Sequence, residues 1–163
     1  MSDGKRMFDV VRKYFADSPH VVTQFTGRPI LHFSHEGSNG RWVCIAHCRE
    51  ADDRFVFYSI GLAATPVERR AALAEFVTRA NFGMVVGNFE LDMDDGEVRY
   101  KTSIDVERDR LSTALLHQLV RVNLDMMDKY LPGLYAVAKE GLDALAAIVA
   151  VEGPQERRAE VEG

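Results

Sequence analysis

In Phe89-Glu90-Leu91-Asp92-Met93-Asp94-Asp95-Gly96-Glu97-Val98-Arg99-Tyr100-Lys101-Thr102-Ser103-Ile104, apolar and polar residues alternate on both sides of Asp95-Gly96. Period-two alternation marks strands with one face in a core, and Asp-Gly between two such runs is a strong local signal for an antiparallel hairpin. Read as a two-residue turn, Asp95-Gly96 sets a register that pairs Asp92 with Arg99, Glu90 with Lys101 and Leu91 with Tyr100. Opposite charges then meet on one face and apolar residues on the other, each pair contributing about 0.2–1 kcal/mol.

Upstream, Thr65-Pro66-Val67-Glu68 has the form of a capping box with proline at the first helical position, and predicts a helix to about Phe82 that Gly83 ends. Strand-like runs precede it at about 21–26, 29–35, 41–49 and 54–61, with turns at Gly37-Ser38-Asn39-Gly40 and Asp52-Asp53. Met7, Val10, Val11, Tyr14 and Phe15 share one side of a helix over about 3–16, with Ser2 or Asp3 placed to cap it. Downstream, a helix is expected from about Ser112 to Tyr130. Leu131-Pro132-Gly133 should break or kink it before a further helical piece through about Ala150.

The expected architecture is α+β: an antiparallel sheet of about five strands with helices packed on it, in the order helix, three strands, helix, two-strand hairpin, helix. Residues 1–150 form this single domain. Residues 151–163 are too polar to offset their ordering entropy and are expected to be a disordered charged tail.

Two segments resemble the YbjN-like bacterial proteins. The first is Asn81-Phe82-Gly83-Met84-Val85-Val86-Gly87-Asn88-Phe89-Glu90-Leu91-Asp92 with Gly96-Glu97-Val98-Arg99-Tyr100-Lys101-Thr102-Ser103, similar to their central signature. The second is Met127-Asp128-Lys129-Tyr130-Leu131-Pro132-Gly133-Leu134, similar to their closing segment. The resemblance covers about residues 5–140 and does not reach the Ala-rich extension from Leu142 to Val149. It implies a type III secretion chaperone-like fold, a cytoplasmic location and a role in regulation or chaperone-like binding, and it carries over no catalytic residue.

Composition narrows the function classes. The chain of 163 residues is 47% hydrophobic and has a formal charge of -5 from 20 basic and 25 acidic residues. The charges are scattered, with no basic run to follow a phosphate backbone, so nucleic acid is not an expected partner. No run approaches the roughly 18–20 apolar residues of a membrane span. Asp9, Arg12 and Lys13 interrupt the apolar region that a signal peptide would need.

His32, His35, Cys44, His47 and Cys48 are the densest group of metal-ligand types, but Cys44 and Cys48 point to one face of their strand and His47 to the other. No zinc spacing is matched, and the cysteines, about 13 Å apart along a strand, read as reduced core thiols. Counted from Glu90, the calcium-loop template fails at Asp95 and Lys101. No nucleophile elbow or phosphate-binding loop occurs. His117 falls on the polar face of the last helix beside Arg121 and Asp128 and reads as solvated. No enzyme, cofactor or metal is expected.

The apolar arcs of the helices are wider than the ~100° that one sheet covers. The helix from Ser112 carries an arc of about 200°, and the Thr65 helix passes half its circumference. The expectation is a homodimer through Leu73, Phe76, Ala80, Leu115, Val122 and Met126, set against burial of these faces within the chain. Ile30, Leu31 and Phe33 are the expected partner-binding edge of the sheet. Asn123, inside the apolar arc, should bond to a strand backbone. The functional expectation is a non-catalytic binder of a protein segment; the alternative is a small-molecule-sensing domain with a pocket between helix and sheet.

Overall fold

The computed structural model describes residues 6–107 and 109–159, with backbone alone for 155–159. In chain order the elements are α1 (Met7–Ala16), β1 (Thr23–Gln24), β2 (Ile30–Glu36), β3 (Arg41–Arg49), β4 (Arg54–Leu62), α2 (Val67–Asn81), β5 (Asn88–Leu91), β6 (Val98–Asp105), α3 (Thr113–Lys139) and α4 (Ala144–Ala159). All strand pairings are antiparallel, in the order β1-β2-β3-β4-β6-β5. The α+β reading stands. The sheet has six strands where about five were expected, because all four strand-like runs before α2 join it, the first reduced to the two-residue β1 paired with Leu31 and His32.

One face of the sheet carries the core. Trp42, Cys44, Ala46 and Cys48 of β3, Phe55 and Phe57 of β4, and Val98 and Tyr100 of β6 point to the same side and meet Leu116, Val120, Met127 and Leu131 of α3 in one cluster. The other face keeps Arg99 and Lys101 around Glu90, with the Arg99 guanidinium 4.3 Å from the Tyr58 ring centre.

The hairpin register differs from the expected one by two residues: Glu90 faces Arg99 and Phe89 faces Tyr100. The connection is a four-residue loop. Asp92 N donates to Glu97 O at 2.9 Å, and Gly96 N to Asp92 O at 2.8 Å. The Asp92 carboxylate accepts from Asp94 N, and Gly96 sits at φ +81 in the left-handed region that glycine tolerates. Because side chains alternate with period two, a shift of two leaves every residue on its expected face. Glu90 therefore still meets both cations.

The capping box does not form. Pro66 precedes the first helical residue, and no side chain caps α2. The Thr65 backbone is committed elsewhere: its N–H donates to Asp95 O at 3.2 Å, and its C=O accepts from Arg70 Nε at 2.9 Å. The hairpin loop thus takes the Thr65 N–H that the box would have used, and the Thr65 hydroxyl is left buried without a partner.

Leu131-Pro132-Gly133 neither breaks nor ends a helix, since α3 runs through it as one element of 27 residues. Proline lacks the N–H that would bond Asp128 O. Asn39, from the β2–β3 turn, supplies the missing donor through Nδ2 at 3.0 Å, and its own N–H donates to Asp128 Oδ1 at 2.8 Å. Asn39→Ala should therefore cost about 1 kcal/mol, a fall in Tm of roughly 2–4 °C. Calorimetry checks this, and an unchanged Tm would mean that water serves Asp128 equally well.

The wide apolar arcs are largely closed within the chain. Leu73, Phe76 and Ala80 are at most 1% exposed. α2 packs against α3, α4 and β5, and Ile148, Ala144 and Ala147 of α4 are buried. This corrects the dimer expectation for these three residues: the covering surfaces are α3, α4 and β5 of the same chain. Of the other three, Leu115 is exposed and Val122 and Met126 are half-buried along α3.

The edge expectation is corrected too. β2 is second in the sheet, Leu31 and Phe33 are core residues, and Ile30 is half-buried. At the opposite edge the Asn81 side chain accepts from Phe89 N at 2.7 Å and donates to Phe89 O at 3.0 Å, filling the place of an added strand there.

The first residues of the expected tail belong to the fold, and α4 is assigned through Ala159. Val151 packs on the core and Tyr130 Oη donates to a Glu152 carboxylate oxygen at 2.8 Å, before Gly153, at φ +74, breaks α4. Residues 160–163 of that expected tail lie outside the described residues.

Candidate functional site

An open cleft of about 1310 Å³ lies between α1 and α3, closed at one end by the β2–β3 hairpin. Spacing explains its walls. Asp9, Val10, Lys13, Tyr14 and Asp17 recur at helical intervals along one side of α1, and Thr113, His117, Val120, Arg121, Leu124, Asp125 and Asp128 do so along one side of α3. At 1.5 Å per residue the α3 wall is about 22 Å long. Val10, Tyr14, Val120 and Leu124 give it an apolar floor.

Tyr14 Oη and His117 Nδ1 lie 3.1 Å apart and tie α1 to α3. His117 is exposed, as the solvated reading expected, and also serves as a tether between the two helices. At the hairpin end, His20 Nε2 and His35 Nδ1 are 3.0 Å apart, and His20 also packs on Phe33 at 4.3 Å between ring centres. Asp125 and Asp128 flank His35.

Burial holds the His20 ring below the ordinary histidine pKa, and burial together with the neighbouring His20 does the same for His35, against the pull of Asp128 and Asp125. Both rings are neutral in the fold near pH 7. Below about 6.5, the ordinary histidine value, the unfolded chain takes up protons that the folded chain refuses, so stability is lost as pH falls from there through the folded-state values. Melting curves should show a smaller drop between pH 7.5 and 5.5 for His35→Gln than for the wild type. Equal drops would place the pH sensitivity elsewhere.

The other candidate chemistry resolves structurally. Cys44 and Cys48 are buried free thiols that burial pushes up to about 12, too high for reactivity. Burial raises the Glu90 pKa, but hydrogen bonds from Lys101 and Arg99 outweigh it and hold the carboxyl below the usual range. No group of three or more His, Cys, Asp or Glu able to hold a metal occurs among the described residues. Asn123, fully buried, donates through Nδ2 toward Phe57 O, Tyr100 O and Thr102 Oγ1 at 3.0–3.2 Å, which is the strand-backbone role expected of it. No described helix is long and apolar enough to cross a membrane.

The sequence reading missed the cleft because its walls lie on two helices far apart in the chain. The available signal was the run of mixed polar and small apolar residues on the sides of α1 and α3 turned away from the sheet.

A six-stranded antiparallel sheet with helices on one face and an open lateral cleft defines a small protein of the α+β class. The chain belongs to the YbjN family: the family model, described as "Putative bacterial sensory transduction regulator", matches residues 9–136. The crystal structure of YbjN from E. coli is similar at a TM-score of 0.61 and 15% identity, covering 82% of this chain and 92% of that one, a likeness of fold. The structure of the HopA1-SchA chaperone-effector complex is also similar, at a TM-score of 0.44 and 18% identity, covering 75% and 87%. No curated protein matches the sequence. α4 lies beyond the residues matched to the family.

Proposed function

We propose that this chain is a non-catalytic regulatory protein that holds a segment of another protein in the α1–α3 cleft. The observation that carries the reading is the size and shape of the cleft. At about 1310 Å³, and open along some four turns of α3, it exceeds the roughly 300–1000 Å³ of pockets that enclose one small molecule. An amphipathic helix laid in a groove is the recognition mode that this length fits. The description of the family as a sensory transduction regulator agrees with a binding role.

The test uses Leu124→Arg, which places a charge on the half-buried floor. A partner protein captured by the wild type and lost with this variant, with the fold intact by circular dichroism, supports the reading. If no protein partner is captured while a metabolite screen finds a specific stabilising ligand, the chain is a small-molecule sensor.

Self-association belongs to the same reading only through Leu115, Val122 and Met126 on the open side of α3. Light scattering at micromolar concentration should give twice 18.3 kDa, falling to the single-chain mass in Val122→Asp. A single-chain mass for the wild type removes the dimer.

A further inference from the structure

We propose that the segment taken by the α1–α3 cleft is basic and amphipathic, its aliphatic side chains on the Val10–Leu124 floor and a lysine or arginine seated at the hairpin end. This deepens the protein-binding reading and rests on it. The charge of the cleft is the argument. Five carboxylates line it against the two cations Lys13 and Arg121, and four of the five gather toward the hairpin end: Asp17, Glu36, Asp125 and Asp128.

Two of these four are already committed. Glu36 pairs with Arg41 at 2.6 Å, and Asp128 accepts from Asn39 N. Asp17 has no ion pair among the described residues. Asp125 has only a 3.6 Å contact with Arg121, both side chains being mostly exposed. These two carboxylates stand beside the apolar floor and the neutral His20–His35 pair with charge unspent. An incoming cation there gains Coulomb energy from two exposed carboxylates beside the apolar floor, while an anion meets like charge. Arg121 can swing from Asp125 at little cost, since exposed i,i+4 pairs contribute little to stability.

The experiment titrates the full chain, by fluorescence anisotropy, with a labelled helical peptide bearing leucines at i, i+4 and i+7 and lysines on its flanks. Its counterpart carries glutamates at the lysine positions. The lysine peptide should bind at least roughly tenfold more tightly than the glutamate one, about 1.4 kcal/mol. The double variant Asp17→Asn/Asp125→Asn should cancel most of that preference, and higher salt should shrink it. Both substitutions are exposed and near-isosteric, so the melting temperature should stay unchanged and a loss of fold is excluded by measurement. Leu124→Arg should abolish binding of the lysine peptide.

Equal affinity for the two peptides, still lost in Leu124→Arg, overturns the charge assignment and leaves the cleft as a segment site. Binding of neither peptide also overturns it. The reading beneath then falls only if the wild-type chain also captures no Leu124-dependent partner. A preference that survives the double variant places the cation elsewhere and overturns the assignment to Asp17 and Asp125.

Discussion

A chain ending at Asp143 should lose cooperative unfolding at 37 °C. α4 contributes Ile148, fully buried, and Ala144 and Ala147, each about 1% exposed. Burying an isoleucine contributes about 1.5–3 kcal/mol and each alanine methyl about 0.8 kcal/mol. Removal also bares the faces of α2 and α3 on which α4 packs, so the burial lost is on the order of 5 kcal/mol. That equals the lower end of the 5–15 kcal/mol that holds domains of this kind together. The truncated chain should bind hydrophobic dyes and melt without a sharp transition. Truncation after Gly153 should leave the melting temperature within about 2 °C, since α4 breaks at that glycine. A sharp transition near the wild-type temperature after the first truncation would show that α4 rests on a surface already stable without it.

Gly133→Val is the second large effect. A Cβ at this position would lie 2.6 Å from Phe76 Cζ and 2.8 Å from Val151 Cγ2. Phe76 is fully buried, so neither ring nor helix has free space into which to retreat. Overpacking of this kind costs about 1–3 kcal/mol, and two clashing partners place it at the upper end, a fall in Tm of roughly 6–12 °C. Phe76→Leu on the same background should recover part of the loss, because shortening the ring makes room for the new methyls. Additive losses in this double-mutant cycle would show that the glycine is tolerant of bulk and that the close approach does not limit stability.

These two outcomes bear on what the sequence could disclose. Local alternation made the β5–β6 pair legible, and its register error of two residues was harmless because faces repeat with that period. Asn123 and the two cysteines were placed correctly, since a polar or thiol group at a core position has few outlets. Long-range covering was illegible. The excess apolar arc of α2 was visible, but whether a second chain or α4 would cover it depends on how the chain returns after Gly141, which periodicity does not encode. Pro132 shows the same limit: the carbonyl it frees is served by Asn39, 93 positions earlier in the chain, so a helix breaker by local rules stands inside a continuous helix. The cleft was hidden for the same reason, its walls belonging to α1 and α3 and its end to the β2–β3 hairpin.

The most direct test of segment binding in the cleft is photo-crosslinking in the cells that natively express the protein. A photoreactive residue replaces Leu124 in the cleft or, as a control, Val149 on α4, which is exposed but does not line it. Adducts with a distinct polypeptide from position 124 and none from 149 are the predicted result. Adducts from position 149 alone, or none from position 124 while the protein is folded and expressed, would contradict it.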